Sequence, residues 1–555
     1  MTRKTLSIFL IIVLLGSFLR TWKLDQYPVS VFGDELDLGY QAYSILETGK
    51  DYTGNSYPVL FHSFSEYRLP FNIYFTVPFE AILGLNEWGV RIPFVVYGII
   101  SIIALFFIAR KLFNDKVALF ATFLMSISPM SLHFSRQAND AGGALALTLL
   151  GTWLFLKGLS SYKMLVLSGG IYALSIYAYS ITTIFTPLIV LALFLIYRKN
   201  ILKYGLPKIT LAISVGILVL TPYIYTFFQG SAGERFNKIN LSSEKSIQEE
   251  IIRRRVESTS PITPLFQNTP VAVILEVTRN YLKSFSTQFL FINGDPNLRH
   301  SVGGIGEFYL FEFFTIIAGV FLIIRNYIHN SFKLTSNYVL VIVWLFISPI
   351  MSALTYGGGE HAPRQILMLP PMIIISALGL SLLLNIKKIA PFKILFFSLM
   401  FFSISLYFYR YYVEWPRDSF RAWHGGFKEA FVYAGSVDSQ YSKVYINNTY
   451  EPSLNRFLFW YKYDPALFQS QFKGDKHVDD IDKSFDGFKI GDKYYFGAFK
   501  KPMEQFADPN TLVIASARED ISDPNIFNQG NMRLLKTVYT PNKEPVFYIF
   551  TGANK

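Results

Sequence analysis

About eleven stretches of this chain are apolar enough over roughly 20 residues to be read as membrane-crossing helices, and that count constrains the fold more than any other feature. They fall near 5–21, 89–109, 116–132, 141–158, 163–180, 182–197, 207–228, 307–325, 337–355, 365–385 and 392–412. In hydrocarbon every backbone polar group must be satisfied internally, so runs of this length are helices. The composition agrees: 51% of residues are hydrophobic and 16% charged, a balance that would not keep a soluble domain in solution. The first run follows Arg3 and Lys4 as a signal peptide would, but no small-residue cleavage site follows it, and it reads as a retained span.

Lys and Arg test the layout, because they collect on the cytoplasmic connections. Arg3 and Lys4, RKLFNDK (110–116), KGLSSYK (157–163), YRKNILKYGLPK (197–208), RNYIHNSFK (325–333) and NIKKIAPFK (385–393) all fall on one side when eleven spans are drawn. The N-terminus is then cytoplasmic and the C-terminus outside. Loop position thus accounts for the net charge of +12, and no nucleic-acid partner is needed. Cysteine is absent, which excludes disulfides and thiolate metal sites. The segment LPFNIYFTVPFEAILGL (69–85) would reverse every later loop if it crossed the membrane, and it holds Pro78 and Glu80. It reads as an interfacial helix on the outer leaflet. The tail alternates apolar and polar residues in KVYINNTY, KYYFGAF, TLVIASA and PVFYIF, as strands of an α/β domain do. The expected organisation is an α-helical polytopic membrane domain, 1–412, with a first outer loop at 22–88 and a long one at 229–306. An α/β domain outside the cytoplasm, 413–555, follows.

The outer loops carry the chemistry. VFGDELDLGY (31–40) places Asp34, Glu35 and Asp37 just past the first span. One reading is local: a helix closed by Gly49, N-capped by Asp34, with Asp37 as its capping-box partner. The other is a general base at the outer mouth of the bundle. The remaining outer loops supply Arg68, Arg136, Arg299, His300, His361 and Arg364. Loop 229–306 adds Arg235, Lys238, Arg253, Arg254, Arg255, Arg279 and Lys283. Positive charge has no topological reason to gather outside, whereas a phosphate held at the surface would use it. The run at 253–255 reads as a solvated or lipid-facing patch. His62, His133, His300 and His361 form no closely spaced pair, so the sequence assigns no metal site.

The chain resembles the GT-C glycosyltransferases, in the branch of the protein O-mannosyltransferases and aminoarabinose transferases. The motifs that carry the likeness over about 5–412 are RTWKLDQYPVSVFGDE, ILETGKDYTGNSYPV, the interfacial LPF segment, WGVRIP, SISPMSLHFSRQAND, FLFINGDPNLRHSVGGIGEFY and HAPRQILMLPP. The resemblance implies a GT-C fold and an inverting transfer from a polyprenyl-phosphate-linked sugar to a hydroxyl of a protein, lipid or glycan, outside the cytoplasmic membrane. It places the family's acid on Asp34, with Glu35 as the second of the pair. Arg68, Arg136, Arg299, His300, His361 and Arg364 become candidate ligands of the donor phosphate. Arginines can stabilise a phosphate leaving group without metal, and a divalent ion, which some relatives bind, is the alternative. A flippase or transporter would be expected to show internal repeats and charges at mid-membrane depth. A lipid-carrier polymerase or ligase would share the donor chemistry without this order of motifs. A membrane-anchored binding protein would not need so many spans.

Overall fold

The computed structural model describes residues 1–63, 67–228, 245–258, 260–385, 390–472, 485–500 and 502–553. The first helices are α1 (Arg3–Thr21), α2 (Gly33–Thr48), α3 (Pro70–Leu83), α4 (Glu87–Leu112), α5 (Asp115–Ile127), α6 (Pro129–Ser135), α7 (Asp140–Gly158), α8 (Tyr162–Ile176), α9 (Thr182–Leu202) and α10 (Leu206–Phe228). Among the described residues nine helices are long and apolar enough to cross a membrane. The pair α5 and α6, bent by 57°, makes a tenth if it counts as one span. α8 is apolar but only 15 residues long. All of the expected runs are helical, and the smaller count comes from this one break and this one short helix. The chain is a multi-pass membrane protein.

The break has a local cause. Pro129 cannot continue α5, and Ser128, with ψ 131°, turns the chain and accepts from Ser131 N–H at the start of α6. That leaves carbonyls at the end of α5 without helical partners. Arg20, fully buried on α1, fills the gap. Its guanidinium donates to Met125 O (3.2 Å), Ser126 O (3.0 Å), Gly16 O (3.0 Å) and Ser131 Oγ (2.7 Å). Gly98 gives it room, since a Cβ there would lie 2.7 Å from Arg20 Nε.

The chain divides into two compact units: Met1–Trp22, Glu66–Asn72 and Arg91–Tyr411 form one, and Lys23–Ser65, Ile73–Val90 and Tyr412–Lys555 the other. The sequence alone assigns all of 22–88 to the membrane domain; in the structure most of it packs with the tail. Within that second unit the contacts are specific. Tyr40 OH donates to Tyr463 O, and Gln469 Nε2 reaches Ser44 Oγ, Thr48 Oγ1 and Asp51 O. Lys428 pairs with Glu87.

The sheet of this unit has strands β1 (Lys443–Asn447), β2 (Phe485–Ile490), β3 (Tyr494–Phe499), β4 (Thr511–Ser516), β5 (Met532–Tyr539) and β6 (Pro545–Gly552), in the order β2-β3-β1-β4-β6-β5. β1 is parallel to both neighbours and the other pairs are antiparallel. Every residue of β4 is buried, as a central strand covered on both faces requires. Asn447, first residue of the sequon-like NNT, is buried and donates to Thr449 Oγ1 and Asp520 Oδ2, so it is not presented as a glycan acceptor.

α3 has 14 residues, too few to cross a bilayer. Its Glu80 is buried, and among the described residues neither carboxyl oxygen has a hydrogen-bond partner. Burial pushes this carboxyl well above its ordinary value. A carboxyl raised on folding binds its proton more tightly in the folded state, so its contribution to stability falls as pH climbs from about 4.5 towards the raised value. Glu80→Gln should remove that slope. We expect the thermal midpoint of the wild type to fall relative to that of Glu80→Gln as pH rises above about 4.5. Parallel midpoints would mean that Glu80 gains a charge-stabilising partner.

Candidate functional site

In the first unit the centre of the site is Asp295, in the turn NGDPN. Its Oδ1 accepts from Asn297 N–H (2.8 Å), its carbonyl from Ser301 Oγ (2.6 Å), and its N–H donates to Glu307 Oε1 (3.0 Å). Its Oδ2 accepts from Ala362 N–H (2.8 Å) and lies 3.0 Å from His300 Nδ1. One carboxylate thus ties the end of the long loop 229–306 to the start of the Ala362–Asn385 span. Burial alone would raise the pKa of Asp295, but the bonds from His300, Asn297 and Ala362 outweigh it and hold the group below the ordinary carboxylate range. Glu307 has no such set of donors. Burial, reinforced by the charge of Asp295, holds it well above the usual range.

His300 and His361, spaced too far apart in sequence to suggest a pair, meet here with ring centroids 4.8 Å apart. Burial, then the neighbouring charges of Arg364 and His300, lower His361 to about 3, so its imidazole is neutral. Arg364 is half-buried and donates through Nη1 to Thr355 Oγ1 (2.8 Å) and Tyr356 O (3.1 Å). The glycines before it are a close-packed turn rather than a loose linker. Gly357 has φ 62°, and a Cβ on Gly358 would fall 1.8 Å from Ser352 O. Arg299 contributes its carbonyl to His133 Nε2 (2.7 Å) and Gln137 Nε2 (3.3 Å), and its Nε faces Asn297 Oδ1 (3.3 Å).

Arg136 has another task. It is 1% exposed, and its guanidinium donates to Leu19 O (2.8 Å), Trp22 O (2.8 Å) and Tyr411 OH (2.9 Å). It thereby closes the C-terminal end of α1, where helix carbonyls lack partners. Arg68 is buried in the same unit. The patch at 253–255 is largely neutralised within its own segment: Arg253 pairs with Glu250 and Glu257, Arg254 with Glu250, and Arg255 donates to Gln267 O. Arg235 and Lys238 lie outside the described residues. Two groups were not expected from sequence. Asp295 was not among the candidates, and Arg410, within the last span, lays its guanidinium where a Cβ on Gly304 would be.

The acidic stretch belongs to the second unit, and its cap differs from the one expected. Gly33 is already helical and Phe32 is the N-cap, so Asp34 is the second helical residue and not the cap. Glu35 performs the return half of the cap, accepting from Phe32 N–H (3.2 Å), and is 2% exposed. Asp37 is not a capping partner; it is buried and accepts from Tyr52 OH (2.9 Å). Asp34 is exposed in the first turn of α2.

Comparisons with known proteins agree with this architecture. Residues 69–225 match the family described as dolichyl-phosphate-mannose-protein mannosyltransferase. ArnT of Cupriavidus metallidurans in its apo state shares the fold, with TM-score 0.50 and 11% identity over 98% of this chain and 97% of that one. The oligosaccharyltransferase of Archaeoglobus fulgidus aligns with TM-score 0.48 and 13% identity over 100% of this chain and 74% of that one. YkcB of Bacillus subtilis (strain 168), to which a mannosyltransferase activity is ascribed, is 24% identical over 95 residues, 17% of this chain. That match spans 13% of YkcB's own length. The chain therefore shares the fold of ArnT, and its segment 69–225 carries the mannosyltransferase family's pattern.

Proposed function

We propose that this chain is an inverting glycosyltransferase that moves a sugar from a polyprenyl-phosphate-linked donor to an acceptor hydroxyl, on the outer face of the cytoplasmic membrane. The C-terminal unit then faces outside. The observation that carries the reading is the meeting of His300, His361 and Arg364 beside Asp295 in the loops of a membrane helix bundle. Such a cluster suits a phosphate that must be bound and then released as a leaving group. In the reaction the acceptor oxygen bonds to the anomeric carbon as the carbon–oxygen bond to phosphate breaks. The lipid phosphate leaves with that electron pair, and the acceptor proton passes to Asp34. Arg364, Arg299, His300, His361 and Arg68 are the groups assigned to the phosphate. Glu35 and Arg136 hold their helices in place. The acceptor is a protein, lipid or glycan hydroxyl.

The test is transfer from a labelled polyprenyl-phosphate sugar in proteoliposomes, set beside translocation of the same lipid. Transfer supports the enzyme; translocation without transfer would replace it with a flippase. Arg364→Ala should weaken donor binding by about 1.5–3 kcal/mol, the worth of a hydrogen bond to a charged group. The contacts it loses, to Thr355 and Tyr356, lie in one short loop, so folding should survive. Donor affinity equal to wild type would remove Arg364 from the site.

A further inference from the structure

We propose that Asp295, His300 and His361 form a binding site for a divalent transition-metal ion of the Zn²⁺ class. Each offers one ligand atom, and the three atoms lie within 4.8 Å of one another. Tetrahedral zinc, with bonds of about 2.0–2.2 Å, places its ligands roughly 3.3–3.5 Å apart, so a small inward movement closes the three around an ion. Two imidazoles and one carboxylate make the donor set of open zinc sites, which keep a further position for water or substrate. Oxygen-seeking Mg²⁺ and Ca²⁺ suit it poorly.

A second observation points to a ligand. Among the described residues the Nδ1 of His361 is buried with no hydrogen-bond partner. An orphaned buried nitrogen is costly, and coordination would relieve it. The surroundings are also built for the task. Asp295 is fixed by Asn297 N–H on one oxygen and Ala362 N–H on the other, which orients it as second-sphere bonds orient metal-bound carboxylates. An ion here would stand beside Arg364 as a second positive centre for the donor phosphate, a role that rests on the function proposed above.

The experiment uses the full chain in detergent, stripped with chelator and titrated with Zn²⁺, with Mg²⁺ as the comparison. Calorimetry and the thermal midpoint are the readouts. We expect one Zn²⁺ per chain, with affinity lowered more than about tenfold in His361→Gln and in His300→Gln and unchanged in His329→Gln. Two variants guard against one failing to fold. No saturable Zn²⁺ binding, or equal binding in wild type and both variants, overturns the site. Sugar transfer is measured separately on the same preparations. Its absence beside stoichiometric, His361-dependent Zn²⁺ uptake would count against the proposed function and leave the metal site standing.

Discussion

Asp34→Asn is expected to fold like the wild type and to lose a factor of about 10²–10⁴ in turnover, the usual worth of a general base. Asp34 caps nothing; the cap of α2 is Phe32, with Glu35 returning to its N–H. Loss of the charge at the helix start should cost only about 0.3–1 kcal/mol. Asp34 is exposed and asparagine matches its size, so no cavity is created. Glu35→Gln provides the contrast. Glutamine can still accept from Phe32 N–H, so turnover should stay within a few-fold of wild type if Glu35 only holds the helix. If instead Glu35→Gln is the variant that fails while Asp34→Asn turns over normally, the base has been assigned to the wrong carboxylate.

How much of this was legible in the sequence depends on the distance over which each feature is set. The spans were visible because an apolar run is a local property. The break between α5 and α6 was not read, although Pro129 sat inside the run 116–132 as its signal. The cap of α2 was misplaced by two residues because phenylalanine is no N-cap signal, while Asp34 beside it is one of the strongest. Glycines 357–359 could equally have been a slack linker; only the approach of Ser352 O to Gly358 shows otherwise. The long-range features were out of reach. Arg136 was recognisable as a cation outside the membrane, yet its carbonyl partners lie 117 and 114 residues away. The bond from Asn297 N–H to Asp295 Oδ1 is local to NGDPN. Nothing in it announced Ala362, 67 residues on, or that His300 would meet His361.

Arg20→Met should cost more than about 3 kcal/mol of stability, because it strips the donors from two buried helix carbonyls at once. Met125 O and Ser126 O end the broken helix α5, and Arg20 supplies hydrogen bonds to both while also holding Ser131 Oγ across the break. Met125 and Ser126 are fully buried, so water does not replace a lost donor and each orphan bears its full cost. Methionine keeps most of the stem volume, which confines the loss to the guanidinium. Lysine offers one ammonium on a shorter reach and cannot satisfy Met125, Ser126 and Ser131 together. The expected order of thermal midpoints is wild type, then Arg20→Lys, then Arg20→Met. The same end of α1 is held by Arg136, through Leu19 O and Trp22 O. Little of α1 is buried within the protein, so these two clamps are a large part of what fixes its end. Arg136→Gln combined with Arg20→Met should therefore be non-additive, since either change already loosens the helix that the other holds. A thermal midpoint for Arg20→Met equal to wild type would show that the broken span stands without its clamp.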